Sequence, residues 1–149
     1  HTPGHTPHDV SYVLNSVDHP PLLFCGDTLF VCGCGRLFSG DAGMMWSSLR
    51  RLADLPDDTV MFCGHDYTAE NCAFGESLGV NAPALTARWR SLREDAARGE
   101  ITVPTTIADE KSSNVFLLAG RPEVKEAVNM SAASDLAVFT ELRRRKDRF

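Results

Sequence analysis

Two short segments with the same order of residue types place the strongest restriction on how this chain can fold. Phe24-Cys25-Gly26-Asp27 ends an apolar run with a glycine and an acidic residue, and Phe62-Cys63-Gly64-His65 repeats the pattern with a histidine. In each segment a β-prone run meets a glycine, which lets the backbone turn sharply, and the next side chain is a good metal ligand. The repeat predicts two strand ends, each presenting one ligand, and a site built at the edge of a sheet.

The rest of the chain alternates strands and helices as far as about residue 80, and helices predominate after it. The predicted strands cover residues 10–17, 22–25 and 59–63. The predicted helices cover residues 41–53, 68–79, 83–99, 122–128 and 134–149. A long glycine-rich loop is predicted for residues 26–40. This pattern predicts an α/β part over residues 1–80 and a helical part over residues 81–149.

Composition narrows the classes of function. A net charge of −5 over 149 residues argues against nucleic acid as a partner, because phosphate binding needs a basic face. No apolar run is long enough to span a membrane. The five cysteines are an odd number and form no Cys-x-x-Cys pair, which predicts reduced thiols in a cytoplasmic protein. Cys32-Gly33-Cys34 is a weak metal signal without a second pair and is better explained as buried thiols in a loop.

Three candidate metal ligands follow a glycine in a loop. They are His5 in Gly4-His5-Thr6, Asp27 in Gly26-Asp27-Thr28 and His65 in Gly64-His65-Asp66. Two imidazoles and a carboxylate can hold a divalent metal, and a carboxylate can also bridge two metals. A bound metal brings the pKa of water towards neutrality and so makes hydroxide available. A single histidine in a loop is more often solvated than ligating, so the metal prediction depends on all three residues.

Five motifs in order along the chain resemble a known family. They are Thr2-Pro3-Gly4-His5-Thr6, Phe24-Cys25-Gly26-Asp27-Thr28-Leu29-Phe30, Gly33-Cys34-Gly35-Arg36-Leu37-Phe38, Cys63-Gly64-His65-Asp66-Tyr67-Thr68 and Lys146-Asp147-Arg148-Phe149. Together they are similar to the glyoxalase II (hydroxyacylglutathione hydrolase) family of the metallo-β-lactamase superfamily. The resemblance implies that residues 1–80 are the C-terminal half of an αββα sandwich. Residues 81–149 would form a helical domain that binds glutathione.

The resemblance also implies roles for eight residues. His5 would bind one metal, His65 the other, and Asp27 both, which makes Asp27 the catalytic bridging ligand. Contacts to the substrate are implied for Arg36, Phe38, Tyr67, Arg143 and Lys146. Phe38 stands where some members have a tyrosine, so its contact would be apolar. The implied cofactors are two divalent ions, zinc first, with iron and manganese as alternatives.

The reaction implied by the resemblance is hydrolysis of a glutathione thioester. A metal-bridged hydroxide would cleave S-2-hydroxyacylglutathione, such as S-D-lactoylglutathione, to glutathione and a 2-hydroxy acid, a step of methylglyoxal detoxification. An acidic protein needs local cations to bind the two carboxylates of glutathione, and Arg36 with the run Arg143-Arg144-Arg145-Lys146 could supply them. The alternative is that these cations only complement the C-terminal helix dipole in solvent.

The sequence opens at His1-Thr2-Pro3-Gly4, inside a motif, which indicates a processed chain or part of a longer protein. The family's signature His-x-His-x-Asp-His does not occur in it. We therefore expect a missing N-terminal segment or chain to supply the other ligands, and this chain alone to bind metal weakly and hydrolyse poorly. Two alternatives stay open. One is an inactive fragment or glutathione-binding module; the other is a persulfide dioxygenase using His5 and Asp27, against which the Lys-Asp-Arg-Phe ending counts.

Overall fold

A computed structural model describes all 149 residues and contains six strands and six helices. The strands are β1 Tyr12–Leu14, β2 Leu22–Gly26, β3 Leu29–Phe30, β4 Gly33–Cys34, β5 Val60–Cys63 and β6 Thr105–Thr106. The helices are α1 Ala42–Ala53, α2 Thr68–Ser77, α3 Pro83–Ala97, α4 Ile107–Ser113, α5 Pro122–Ala127 and α6 Asp135–Lys146. None of the helices combines the length and apolar character that crossing a bilayer requires. The α/β class predicted from the sequence is confirmed.

The main sheet brings the two repeated segments side by side. Its strand order is β1-β2-β5-β6, with β1 and β6 antiparallel to their neighbours. The central strands β2 and β5 are parallel, and Phe24 lies opposite Phe62. Because parallel strands end at the same edge of a sheet, the residues after Gly26 and Gly64 emerge together. The prediction that both segments end strands at the same edge of a sheet is confirmed.

Several elements differ from the prediction. The loop predicted for residues 26–40 contains a small hairpin of β3 and β4, and the strand β6 and helix α4 were not predicted. These strands have two residues each, which is too short for an alternating pattern to appear.

Capping residues in the sequence mark two of the helix starts. Asp41 caps α1 and Ser134 caps α6, and each side chain accepts a hydrogen bond from a first-turn amide.

The core runs through the whole chain. Buried hydrophobic residues form one cluster that extends from Leu23 in β2 to Leu142 in α6. Trp89 of α3 is the largest fully buried side chain, and a Cβ on Gly75 of α2 would lie 2.8 Å from its ring. That close approach lets α2 and α3 pack tightly. The division at residue 80 stays a prediction, since the same cluster extends across it.

One face of the main sheet is apolar and open to solvent. Tyr12, Leu14 and Phe24 point to this face and are 68%, 59% and 44% exposed. Phe62 stacks on Phe24 there, with ring centroids 5.2 Å apart. The alternate residues, such as Leu23 and Met61, are fully buried on the other face. An apolar sheet face of this kind is normally covered by a second layer.

Candidate active site

The ends of β2 and β5 place Asp27 and His65 against each other. Gly26 has a φ of 51°, which turns the chain sharply after β2, and its carbonyl accepts a hydrogen bond from the Gly64 amide at 2.9 Å. A Cβ on Gly64 would lie only 2.5 Å from Asp27 Oδ1, so glycine is required for this approach. His65 Nδ1 then lies 2.9 Å from Asp27 Oδ1.

His5 reaches the same carboxylate from the N-terminal loop. The loop lies directly on α1, since a Cβ on Gly4 would be 2.5 Å from Met45 Cα. His5 Nδ1 donates a hydrogen bond to the Arg36 carbonyl at 2.8 Å. Its Nε2 therefore faces Asp27 Oδ2, 3.5 Å away. A ring held through one nitrogen by a backbone carbonyl, with the other nitrogen free, is typical of a metal-binding histidine.

The three residues predicted as ligands meet at one carboxylate. An imidazole lies at each oxygen of one carboxylate, with His5 on one side of Asp27 and His65 on the other. The donor chemistry suits a divalent ion on each side, but each ion would have only one histidine and a shared carboxylate. No three or more His, Cys, Asp or Glu side chains in the structure form a group that could hold an ion. Further ligands would be needed to complete either position.

All eight residues predicted for the site line one cavity of about 530 Å³. His5, Asp27 and His65 share it with Arg36, Phe38, Tyr67, Arg143 and Lys146. Five lining residues were not predicted, namely Phe30, Cys34, Gly35, Glu70 and Asn71. Cys34 and Gly35 lie inside a motif that we had identified, and Glu70 and Asn71 follow Tyr67 by one helical turn. Proximity to Arg36 and Tyr67 could therefore have indicated four of the five.

Aromatic rings form one side of the cavity. Tyr67 stacks on His65, with centroids 5.3 Å apart and ring planes at 17°. The ring of Phe30 meets Tyr67 edge-on at 5.3 Å. Phe38 lies edge-on to His5 at 5.0 Å and is 70% exposed. One aromatic ring therefore packs against each imidazole, and most of the Phe38 ring is open to contact with a bound molecule.

Arg143 is already occupied by internal contacts. It is 5% exposed, and its Nη1 donates a hydrogen bond to the Cys34 carbonyl at 2.9 Å. Its Nη2 pairs with Asp147 Oδ1 at 2.9 Å. A substrate contact for Arg143 stays a prediction, and its observed contacts connect α6 to the β3–β4 hairpin.

Arg36 and Lys146 are the more available cations. Arg36 is 58% exposed in its side chain and lies 3.4 Å from Asp147. Lys146 Nζ donates to the Glu70 carbonyl at 3.0 Å, and burial and the neighbouring Arg143 cation lower its pKa. Arg144 and Arg145, which we also expected here, bond to Glu141 and do not line the cavity. The cationic end of the cavity therefore has fewer charges than the sequence suggested.

A buried carboxylate beneath the site was not found from the sequence. Glu110 of α4 is fully buried, and its Oε2 accepts hydrogen bonds from the Cys32 amide and Asn114 Nδ2, both at 2.9 Å. Its Oε1 accepts from Thr105 Oγ1 at 3.3 Å. Burial raises the pKa of Glu110 to about 7, although the hydrogen bonds partly oppose the shift. In sequence it sits in the charged run Asp109-Glu110-Lys111, which looks like a solvated helix face.

The raised pKa of Glu110 predicts a stability change with pH. The folded state binds this proton more tightly than the unfolded state, whose glutamate pKa is near 4.5. The contribution of Glu110 to the free energy of unfolding should therefore be complete below about pH 4.5 and fall by on the order of 3 kcal/mol as the pH rises through about 7. Urea unfolding across this range measures it. Glu110→Gln, which carries no charge, should flatten the decrease; an unchanged slope would contradict the assignment.

Sequence comparison establishes the family. A family profile described as hydroxyacylglutathione hydrolase C-terminus matches residues 66–149, more than half of the chain. The chain belongs to the hydroxyacylglutathione hydrolase family. The profile of the metallo-beta-lactamase superfamily matches residues 1–65. Together the two matches account for every residue of this hydroxyacylglutathione hydrolase family member, in the order that the motifs predicted.

Curated relatives agree with this assignment, and a solved structure shares the fold. Hydroxyacylglutathione hydrolase from Rhodopseudomonas palustris (strain BisA53) is 46% identical over 147 residues, 99% of this chain and 56% of the relative. The protein of the same name from Rhizobium meliloti (strain 1021) is 47% identical over 99% of the chain and 57% of the relative. The match to the crystal structure of ETHE1 from Myxococcus xanthus covers 96% of this chain and 42% of the ETHE1 chain, with 27% identity and a TM-score of 0.54.

These matches confirm the predicted resemblance and the metallo-β-lactamase-type fold of this hydroxyacylglutathione hydrolase family member. Membership of the superfamily also implies the use of divalent metal ions. The chain spans little more than half the length of the curated relatives it matches. The cytoplasmic location and the roles of the individual site residues stay predictions.

Proposed function

We propose that this protein supplies part of the active site of a glutathione thioesterase. The substrate is S-2-hydroxyacylglutathione, such as S-D-lactoylglutathione, and the products are glutathione and a 2-hydroxy acid. The observation that carries the proposal is a single cavity with the His5-Asp27-His65 group on one part of its lining and the Arg36 and Lys146 cations on another. Its volume of about 530 Å³ is in the range of pockets that bind small molecules.

Asp27 and its two histidines would hold the metal ions of this site, zinc first and iron or manganese as alternatives. When bound, two divalent ions supply hydroxide near neutral pH and polarise the thioester carbonyl. Asp27, with one oxygen beside each imidazole, would be a ligand of both ions. The Arg36 carbonyl keeps His5 Nδ1 protonated, so that Nε2 remains the ligating nitrogen.

The other cavity residues would hold glutathione. Arg36 and Lys146 are cations beside an open cavity, and glutathione has two carboxylates that such groups bind. Tyr67, fixed between His65 and Phe30, and the exposed ring of Phe38 would contact the thioester chain. The cationic end binds and orients the substrate, and the Asp27 end is where the bond is cleaved.

Residues outside these 149 would complete the site. The chain offers too few ligands for either ion, and the relatives extend well beyond the matched region. The exposed apolar face formed by Tyr12, Leu14, Phe24 and Phe62 supports this proposal, because a second sheet on it would bury these side chains. Without that second layer, the same chain would be an inactive fragment or a glutathione-binding module. The match of residues 66–149 to the hydroxyacylglutathione hydrolase C-terminus disfavours a persulfide dioxygenase.

Loss of the Lys146 charge should weaken substrate binding rather than the chemical step. We expect Lys146→Ala to raise KM roughly tenfold with little change in kcat, since one charge-assisted contact is removed. Steady-state kinetics on S-D-lactoylglutathione measure both constants in a chimera whose N-terminal part comes from the Rhodopseudomonas palustris (strain BisA53) relative. Arg144→Ala is the matched control, because Arg144 lies on the same helix and pairs with Glu141. A fall in kcat alone, or an equal effect at Arg144, would contradict the assignment.

A chimera tests the proposed function. The 149 residues would replace the matching C-terminal part of the Rhodopseudomonas palustris (strain BisA53) relative, which supplies the remaining length. The chimera should hydrolyse S-D-lactoylglutathione and lose this activity in chelator, whereas the 149-residue chain alone should be a poor hydrolase. A folded chimera without thioesterase activity would overturn the proposal.

A further inference from the structure

Side chains from three helices bind the backbone of the β3–β4 hairpin, one residue after another. The carbonyls of Phe30 and Gly33 accept hydrogen bonds from Asn114 Nδ2, at 3.1 and 2.9 Å. Between them, the Val31 carbonyl accepts from Asn71 Nδ2 at 3.0 Å, and the Cys32 amide donates to Glu110 Oε2 at 2.9 Å. Arg143 binds the next carbonyl, that of Cys34.

The hairpin needs this outside support. Its strands have only two residues each, and a hairpin of that size has little stability of its own. Cys32 adopts a φ of 54°, which is unfavourable for a residue with a side chain. Glu110 and Asn114, both fully buried, account for three of the backbone contacts and are bonded to each other. Their polar atoms are satisfied by the hairpin and by neighbouring groups of the helical part.

The hairpin connects these two residues to the candidate active site. Immediately after β4, the Gly35 amide donates to the Thr28 carbonyl at 3.3 Å, next to Asp27. The following carbonyl, that of Arg36, accepts the hydrogen bond from His5 Nδ1. The hairpin therefore leads directly into the Arg36 carbonyl, and a carbonyl, which can only accept, favours the proton on His5 Nδ1.

We propose that Glu110 and Asn114 are positioning residues for His5. Acting through the hairpin, they hold the Arg36 carbonyl so that His5 stays in its Nδ1–H tautomer with Nε2 directed at Asp27. The consequence for catalysis depends on the proposed function, but the positioning itself does not. It assigns the helical part of the chain a second task besides contact with the substrate, which is to fix a ligand on the sheet side.

Nitrogen NMR of the 149-residue chain tests the proposal without substrate or metal. Chemical shifts of ¹⁵N-labelled histidine rings report which nitrogen of each imidazole carries the proton, and spectra are recorded at increasing pH until they no longer change. His5 should be predominantly the Nδ1–H tautomer. Glu110→Ala and Asn114→Ala should each change its tautomer ratio roughly tenfold towards Nε2–H, as expected for loss of one hydrogen bond. His65, which does not contact the hairpin carbonyl, should change little.

Two variants separate positioning from general stability. Glu110→Gln keeps an oxygen for the Cys32 amide and Asn114, so it should restore the wild-type tautomer of His5. Val124→Ala creates a cavity at a fully buried position of α5, and should lower the thermal midpoint without moving the tautomer. If the alanine variants do not fold, Glu110→Asp, which withdraws the carboxylate from the Cys32 amide, replaces them.

The proposal is overturned if folded Glu110→Ala and Asn114→Ala, or Glu110→Asp in their place, keep the wild-type tautomer. It is also overturned if wild-type His5 is not the Nδ1–H tautomer, or if Val124→Ala shifts the ratio as much as Glu110→Ala does. An inactive chimera with the expected tautomer shifts would instead count against the proposed function alone.

Discussion

Asp27→Asn should lower kcat/KM for S-D-lactoylglutathione by about 1,000-fold or more in the chimera. Asp27 is the only carboxylate that lies between His5 and His65, with an oxygen directed to each ring. Asparagine keeps the shape but loses the negative charge and replaces one oxygen by an amide nitrogen that cannot bind a cation. One metal position would therefore lose its Asp27 ligand, and the other would keep only a neutral oxygen. Metal content and steady-state kinetics on the same preparation measure the two effects.

The matched control for this change is Asp58→Asn. Asp58 is exposed in the turn before β5 and lies outside the cavity, so its replacement should leave both metal content and kinetics unchanged. Retention of two ions and of most of the activity in Asp27→Asn would contradict the role proposed for the carboxylate.

Gly35→Ala should lower the activity of the chimera by roughly 100-fold through displacement alone. A Cβ at position 35 would lie 1.9 Å from the Asp27 carbonyl oxygen and 3.2 Å from His5 Cβ. Backbone cannot yield as a flexible side chain can, so the hairpin and the Asp27 loop would have to separate. Asp27 and His5 would then no longer face each other at the observed distance. Lower metal affinity together with a lower kcat would reveal this change.

Gly43→Ala provides the control for the added methyl group. Gly43 lies in the first turn of α1, where a Cβ would meet only Asp41 Oδ1 at 3.2 Å, and alanine favours helix. We expect unchanged kinetics and equal or greater stability. Activity of Gly35→Ala within a few-fold of the unchanged chimera would show that the close approach of hairpin and ligand loop is not needed.

The sequence predicted the parts of the site that follow from local rules. An apolar run ending in glycine marked β2 and β5, and the candidate ligands after Gly26 and Gly64 met because the strands are parallel. Capping residues marked the helix starts at Asp41 and Ser134. The family resemblance predicted which residues share a cavity, because no local sequence pattern connects Lys146 with His5.

Long-range polar contacts could not be read from the sequence. Glu110 and Asn114 look like ordinary polar residues of a charged helical segment, and only the folded chain places them beneath a hairpin about 80 residues away. Arg143 is similar, because its partners Cys34 and Asp147 decide that it is buried while Arg144 is not. The hairpin was also missed because its stability comes from these distant side chains rather than from its own residues.

We propose that this chain holds one carboxylate and two histidines of a metal site that further residues complete. Metal content after equilibration with zinc and removal of free ions tests it most directly, with the 149-residue chain and the chimera measured side by side. We expect two zinc ions in each chimera molecule and far less than one in the isolated chain. Stoichiometric binding of two ions by the isolated chain would contradict the claim, as would a folded chimera that binds none.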